Sequence, residues 1–252
     1  MNKKIIVANW KMNPKSFLQA KAILEPIKKA FLRNDFKGKK SIVICPPHAY
    51  LGLFEKLPKN ISLGAQDLSI YSKGALTGEV GGDMLKSVGV NFCIIGHSER
   101  RAMGETPEII SKKITRALEN KITPIICFGE NKRDIEGQFF ADIRSIIEAT
   151  LAGVSKANAS KIVLAYEPLW AISTEGNGAI TPELLRETAI FIRRTLSELY
   201  GNKIGIKIPI LYGGSVNVKN AKDIVIQGEV DGLLIGKVSL NAKEFIQIVS
   251  SI

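Results

Sequence analysis

Three cysteines in 252 residues, Cys45, Cys93 and Cys127, are too few and too unevenly spaced for a disulfide framework or a cysteine metal site. Each lies in or at the end of an apolar run (Ser-Ile-Val-Ile-Cys, Asn-Phe-Cys-Ile-Ile, Pro-Ile-Ile-Cys-Phe), the setting of a reduced core residue in a cytosolic protein. No apolar run approaches the roughly 18 residues of a membrane span. The opening Met1-Asn-Lys-Lys-Ile-Ile-Val-Ala-Asn-Trp lacks the longer apolar segment of a secretory signal. The expectation is a soluble, cytoplasmic chain without membrane contact. Long charge blocks are missing too. The 35 basic and 24 acidic residues leave +11, but the lysines are spread along the chain, with nothing beyond pairs such as Lys39-Lys40 and Lys112-Lys113. That speaks against a nucleic-acid-binding stripe and for a basic solvated surface. Its positive field would draw in a small anionic substrate, less strongly as salt rises.

What is present is a repeated alternation. Eight short β-branched runs occur at Ile5–Ala8, Ser41–Cys45, Ile61–Ala65, Phe92–Ile95, Ile122–Cys127, Lys161–Ala165, Ile208–Leu211 and Gly232–Ile235. Between them lie segments of helical period: Ser16–Leu32, Pro107–Asn120, Lys132–Leu151, Pro182–Tyr200, Val218–Ile226 and Ala242–Val249. Several are entered by Ser, Thr or Asn followed by an early Pro or Glu, as helix starts should be. Strict alternation implies a parallel sheet with helical crossovers. Eight units at this length fit a single-domain (β/α)8 barrel over residues 1–252 better than an open sheet.

In such a barrel, chemistry sits where strands end and the following loops begin. Strand one ends in Asn9-Trp-Lys11, strand four in Gly96-His97-Ser98-Glu99, strand six in Glu167, strand seven in Tyr212-Gly-Gly214-Ser215 and strand eight in Gly236-Lys237. Singly, each has an ordinary reading: a solvated lysine, a turn asparagine, a structural histidine, an ion-paired glutamate, a glycine turn. The other histidine, His48, reads as a helix-start residue. Agreement at five strand ends carries the functional reading. Glu167, held extended by the following Pro168, suits a general base for a proton next to a carbonyl. A neutral imidazole opposite can donate a hydrogen bond to a developing enolate oxygen and pass a proton between adjacent oxygens. An ammonium group stabilises the intermediate's charge, and glycine-rich turns after strands seven and eight offer N–H groups to a phosphate. Together these describe a proton-transfer isomerase for a small phosphorylated carbonyl compound. Beyond Glu167, Trp170, small residues and the glycines up to Thr181 read as a mobile lid.

The segments Asn9-Trp-Lys-Met-Asn13, Gly96-His-Ser-Glu-Arg-Arg101, Cys127-Phe-Gly-Glu130, Ala165-Tyr-Glu-Pro-Leu-Trp-Ala-Ile172, Leu211-Tyr-Gly-Gly-Ser-Val216 and Asp231-Gly-Leu-Leu-Ile-Gly236 resemble the triosephosphate isomerase family, in order and along essentially the whole chain. The resemblance implies interconversion of dihydroxyacetone phosphate and D-glyceraldehyde 3-phosphate through an enediolate, with no metal or organic cofactor. It implies Glu167 as base, His97 as electrophile and proton shuttle, Lys11 as charge stabiliser and Asn9 as a positioning group. Ser98, Glu99, Trp170 and Tyr212 would support them, and Ser173, Gly214, Ser215, Gly236 and Lys237 would bind the phosphate. It also implies a homodimer. The long loop 66–82, with Gly74, Gly78, Gly81 and Gly82, would insert into the partner, where Thr77 would support the partner's site.

Two features depart from the family's pattern. Ser173-Thr174-Glu175 stands where a Gly-Thr-Gly follows Trp-Ala-Ile, with a lid about two residues longer, and Ser173 lacks glycine's freedom at positive φ. Lys237 stands where a second glycine follows Gly236. Its simplest reading is a solvated side chain, and its sharper one an added charge beside the phosphate. Two other functions are compatible with the fold class: a different phosphate-binding barrel isomerase, and a catalytically silent barrel kept for binding. Both are disfavoured by the presence of Asn9, Lys11, His97 and Glu167 together.

Overall fold

The computed structural model describes residues 3–33, 36, 40–134, 136–171 and 180–252. Eight parallel strands close on themselves in sequence order: β1 (Lys4–Asn9), β2 (Lys40–Cys45), β3 (Ile61–Ala65), β4 (Val90–Ile95), β5 (Thr123–Phe128), β6 (Val163–Tyr166), β7 (Ile210–Tyr212) and β8 (Gly232–Ile235). β1 pairs with β2 on one side (Lys4 with Lys40) and β8 on the other (Ile5 with Gly232), which completes the barrel. Helices cover the outside: α1 (Phe17–Leu32), α2 (Gly82–Ser87), α3 (Ser98–Ala102), α4 (Pro107–Glu119), α5 (Gln138–Leu151), α6 (Pro182–Tyr200), α7 (Asn202–Gly205), α8 (Ala221–Ile226) and α9 (Ala242–Ser251). The expected (β/α)8 architecture is therefore present.

The helix starts follow local chemistry. The hydroxyls of Ser16, Thr106 and Thr181 accept the N–H groups of Gln19, Ile109 and Leu184, and prolines 107 and 182 open α4 and α6 where no N–H donor is needed. Boundaries shift where a stronger local signal intervenes. The segment expected to be helical from Lys132 begins at Gln138, because Gly137 adopts φ 81° and the Asp134 carboxylate takes the N–H groups of Gln138 and Phe139. Lys161 ends a short 3-10 helix, so β6 starts at Val163 rather than at Lys161.

Strand alternation divides the core in two. Val7, Val43, Cys45, Ile94, Ile125, Cys127, Val163, Ala165, Leu211 and Leu234 fill the barrel interior. Their neighbours Ile6, Ala8, Ile42, Ile44, Ile126, Phe128, Leu164, Tyr166 and Leu233 face the helix layer. Two residues beyond the last inward apolar side chains stand Asn9, Pro47, Gly96, Gly129, Glu167, Gly213 and Gly236. The period that fills the barrel with aliphatics thus ends, at its C-terminal mouth, in one amide, one carboxylate, one proline and four glycines.

Candidate active site

The mouth opens into a cleft of about 360 Å³ lined by Asn9, Lys11, His97, Glu167, the β7 turn Gly213–Asn217 and the β8 end Leu234–Val238. Asn9, Lys11, His97, Glu167, Gly214, Ser215, Gly236 and Lys237, all expected at the site, meet there. Ser173 and the rest of 172–179, including the departure at Ser173–Glu175, lie outside the described residues.

Glu167 is the most enclosed of these groups, 2 % exposed. Its own N–H bonds Phe128 O at 2.7 Å, which continues the β5–β6 ladder and fixes its backbone. Two glycines make room for it. A Cβ on Gly129 would lie 1.9 Å from the Glu167 carbonyl oxygen, and one on Gly213 would lie 2.7 Å from Glu167 Cγ. These glycines lay in quoted motifs, but their packing role depends on strand neighbours and was not read from the sequence. Glu167 Oε2 accepts the Ser98 N–H at 3.1 Å, and Oε1 lies 3.3 Å from His97 Nε2. Below it, burial and the adjacent Glu167 carboxylate push the Cys127 thiol well above its ordinary range, so Cys127 remains a protonated core residue.

His97 reaches this position through a break in alternation. Gly96 takes φ 69°, and a Cβ there would meet Ile110 Cδ1 at 2.9 Å. His97 then caps α3: its Nδ1 accepts the Glu99 N–H at 3.2 Å. An accepting Nδ1 assigns the proton of the neutral ring to Nε2, the nitrogen that faces Glu167. The ring is 8 % exposed.

Lys11 also departs from ordinary backbone, with φ 52°. Its N–H bonds Asn9 Oδ1 at 3.0 Å, its carbonyl accepts Gln66 Nε2 at 2.9 Å, and its Nζ lies 2.5 Å from Glu99 Oε1. Glu99 therefore touches both Lys11 and, through its backbone, His97. On the far side of the cleft, Ser215 Oγ donates to Ala171 O at 2.9 Å, which joins the β7 turn to the chain just before residue 172. Tyr212 stands behind the cleft rather than in it: a Cβ on Gly214 would meet its hydroxyl at 2.2 Å, and burial pushes its phenol up to about 12.

A neighbouring group was not assigned a role from the sequence. Glu130 Oε1 accepts from Tyr166 Oη at 2.7 Å, Trp170 Nε1 at 2.8 Å and Arg133 Nε at 3.2 Å. Arg133 also bonds Tyr166 Oη and Thr188 Oγ1 and lies over the Phe139 and Trp170 rings. Trp170 thus supports the site through Glu130. The Cys-Phe-Gly-Glu motif was the available signal, but nothing in it reveals three donors converging on one oxygen. Among the described residues, no group of three or more His, Cys, Asp or Glu could hold a metal ion, and no helix is long and apolar enough to cross a membrane.

A closed (β/α)8 barrel whose C-terminal mouth gathers a buried carboxylate, an Nε2-protonated imidazole and ammonium groups defines a class: barrels equipped for acid–base chemistry on a small anion. Comparison narrows it. Residues 4–252 match the sequence model of the triosephosphate isomerase family. Curated proteins named triosephosphate isomerase from Dictyoglomus thermophilum, Dictyoglomus turgidum and Flavobacterium johnsoniae are 43 %, 41 % and 40 % identical, each comparison covering 100 % of both chains. The chain belongs to the triosephosphate isomerase family.

Proposed function

We propose that the chain interconverts dihydroxyacetone phosphate and D-glyceraldehyde 3-phosphate in the cytoplasm, as one catalytic domain spanning residues 1–252. Family membership supports the reaction. The observation that carries the mechanism is the pairing of Glu167 Oε1 and His97 Nε2 at 3.3 Å, on the wall of one cleft.

The steps follow from these contacts. Without substrate, the His97 Nε2–H faces the Glu167 carboxylate. A substrate carbonyl entering between them takes over that donor, which frees Oε1 to remove the proton from the adjacent carbon. Electrons from the broken C–H bond move to the carbonyl oxygen, giving an enediolate. The His97 N–H and the Lys11 ammonium stabilise it, and the Asn9 amide positions its oxygens. His97 passes a proton between the two oxygens, and Glu167 returns its proton to the neighbouring carbon. Gly214, Ser215, Gly236 and Lys237 hold the phosphate, joined by Ser173. Exclusion of water from the cleft protects the enediolate from loss of phosphate. Positioning limits side reactions, and it rests on the fixed backbone of Glu167 and the capped ring of His97. A coupled assay of glyceraldehyde 3-phosphate turnover tests this. An inactive wild type, or Glu167→Ala with undiminished turnover, would refute the mechanism.

The same reading includes a homodimer. Residues 71–79 are exposed throughout, Thr77 among them, and apolar side chains around them are open to solvent: Met12 (95 % exposed), Tyr71, Leu76, Met84 and Met103. An apolar set of this kind on the segments after β1, β3 and β4 suits a second copy of the chain, with Thr77 supporting the partner's site. Sedimentation with activity measurements on dilution should show loss of activity alongside dissociation; a fully active monomer would overturn the dimer.

A further inference from the structure

Two adjacent arginines in α3 are used differently. Arg100 pairs with Asp67 and Glu105. Arg101 is partly buried, and among the described residues it forms no ion pair with a carboxylate. Its guanidinium bonds two main-chain carbonyls instead, Nε to Gly96 O at 2.8 Å and Nη2 to Cys127 O at 2.9 Å. Burial pushes its pKa down from the ordinary guanidinium value, the mark of a charge placed at a cost.

Both carbonyls lie where the β4–β5 ladder stops. Its last register pair joins Ile95 to Ile126; at the next residue Gly96 turns to φ 69° and the chain leaves the sheet. The Phe128 carbonyl faces β6, where it accepts the Glu167 N–H. Carbonyls alternate sides along a strand, so that of Cys127 faces the side β4 has left. Arg101 supplies the donors that the ladder no longer provides. It also packs against the turn, since a Cβ on Gly96 would lie 3.2 Å from Arg101 Nη2. One connection thus runs from His97 through the Gly96 carbonyl, Arg101, the Cys127 carbonyl and the Phe128 carbonyl to the Glu167 N–H. We infer that Arg101 is a positioning residue whose two-pronged guanidinium holds the strand ends carrying His97 and Glu167 at the separation that proton transfer needs. It acts from outside the cleft, whose lining does not include it. The inference rests on the reading of His97 and Glu167 as the working pair.

The test uses Arg101→Met, which keeps much of the length but removes charge and donors, and Arg101→Lys, which keeps the charge but not the fork. Two readouts are taken on the folded proteins: KM and kcat for glyceraldehyde 3-phosphate, and the nitrogen NMR signals of the histidine rings without substrate. The chain has two histidines, so His48→Gln assigns the signals. Wild-type His97 should show widely separated Nδ1 and Nε2 resonances, the signature of one fixed neutral tautomer. Arg101→Met should broaden them or draw them together, and should lower kcat by roughly ten- to a hundredfold with KM within about threefold of wild type. Arg101→Lys should show the same changes to a smaller degree, and it decides the question if Arg101→Met does not fold. A merely structural arginine would lower the thermal midpoint and leave the ring signals and kcat of the folded protein alone; that result in either variant overturns the inference, as does a loosened ring with wild-type kcat. Should the wild type fail to isomerise while Arg101→Met still loosens the His97 ring, the isomerase reading falls and the positioning of His97 by Arg101 stands.

Discussion

Glu130 after β5 and Glu167 after β6 stand at neighbouring strand ends, and each is 2 % exposed. Their partners differ. Three side-chain donors converge on one oxygen of Glu130, one of them the Arg133 guanidinium. Glu167 has a backbone N–H on one oxygen and, on the other, an imidazole that also lines the open cleft. Equal burial therefore produces a locked carboxylate in one case and an available one in the other. What distinguishes a base from a strut here is whether its donors can be exchanged for a substrate.

Exchanging the roles by mutation should separate them. Glu167→Gln keeps the size and the Ser98 contact but removes the basic oxygen, and its kcat should fall on the order of 10³-fold or more with little change in thermal midpoint. Glu130→Leu should do the reverse in kind: it leaves the largely buried Arg133 guanidinium without its carboxylate, at a cost of about 3 kcal/mol in stability. A thermal melt beside kcat would show it, and a stable variant with lost activity would collapse the distinction.

Gly213→Ala tests how tightly the free carboxylate is held. The added Cβ, 2.7 Å from Glu167 Cγ, must displace the base. A misplacement near 1 Å is worth up to about 10²-fold in rate, so kcat should drop by roughly ten- to a hundredfold. Wild-type kcat would mean that Glu167 does not need this position.

The smallest effect lies in the cluster behind the mouth. Burial pushes the Glu105 carboxyl up, but hydrogen bonds from Lys113 and Arg100 outweigh it and hold it below 4.5. A carboxyl depressed in the folded state contributes stability that is present above the unfolded value and lost as pH falls through the folded one. Asp67, raised chiefly by burial, acts in the opposite sense. The stability gap between wild type and Glu105→Gln should be about 1–2 kcal/mol at pH 7 and shrink toward pH 3. A gap that widens on acidification would contradict the assignment.

Much of this was legible in the sequence because it is periodic. Inward alternation carries Ile5, Val7 and Asn9 into one layer sequence, and Val163, Ala165 and Glu167 into another, so a polar residue closing an aliphatic run marks the mouth. His97 and Lys11 were legible only as residue types near strand ends. Their placement depends on Gly96 at φ 69° and on Lys11's own φ of 52°, conformations that alternation does not predict. The Glu130 hub was hidden because its donors come from β6, the chain after it and the turn that precedes α5. The roles of Gly129 and Gly213 were hidden because a missing side chain has meaning only beside a neighbour.

The most direct measurement is proton exchange at the substrate carbon. With dihydroxyacetone phosphate in deuterated water, followed by NMR, wild type should form glyceraldehyde 3-phosphate and incorporate solvent deuterium at the carbon beside the carbonyl, while Glu167→Gln should do neither at a comparable rate. Undiminished exchange in Glu167→Gln, or none in the wild type, would contradict the assignment of Glu167 as the base.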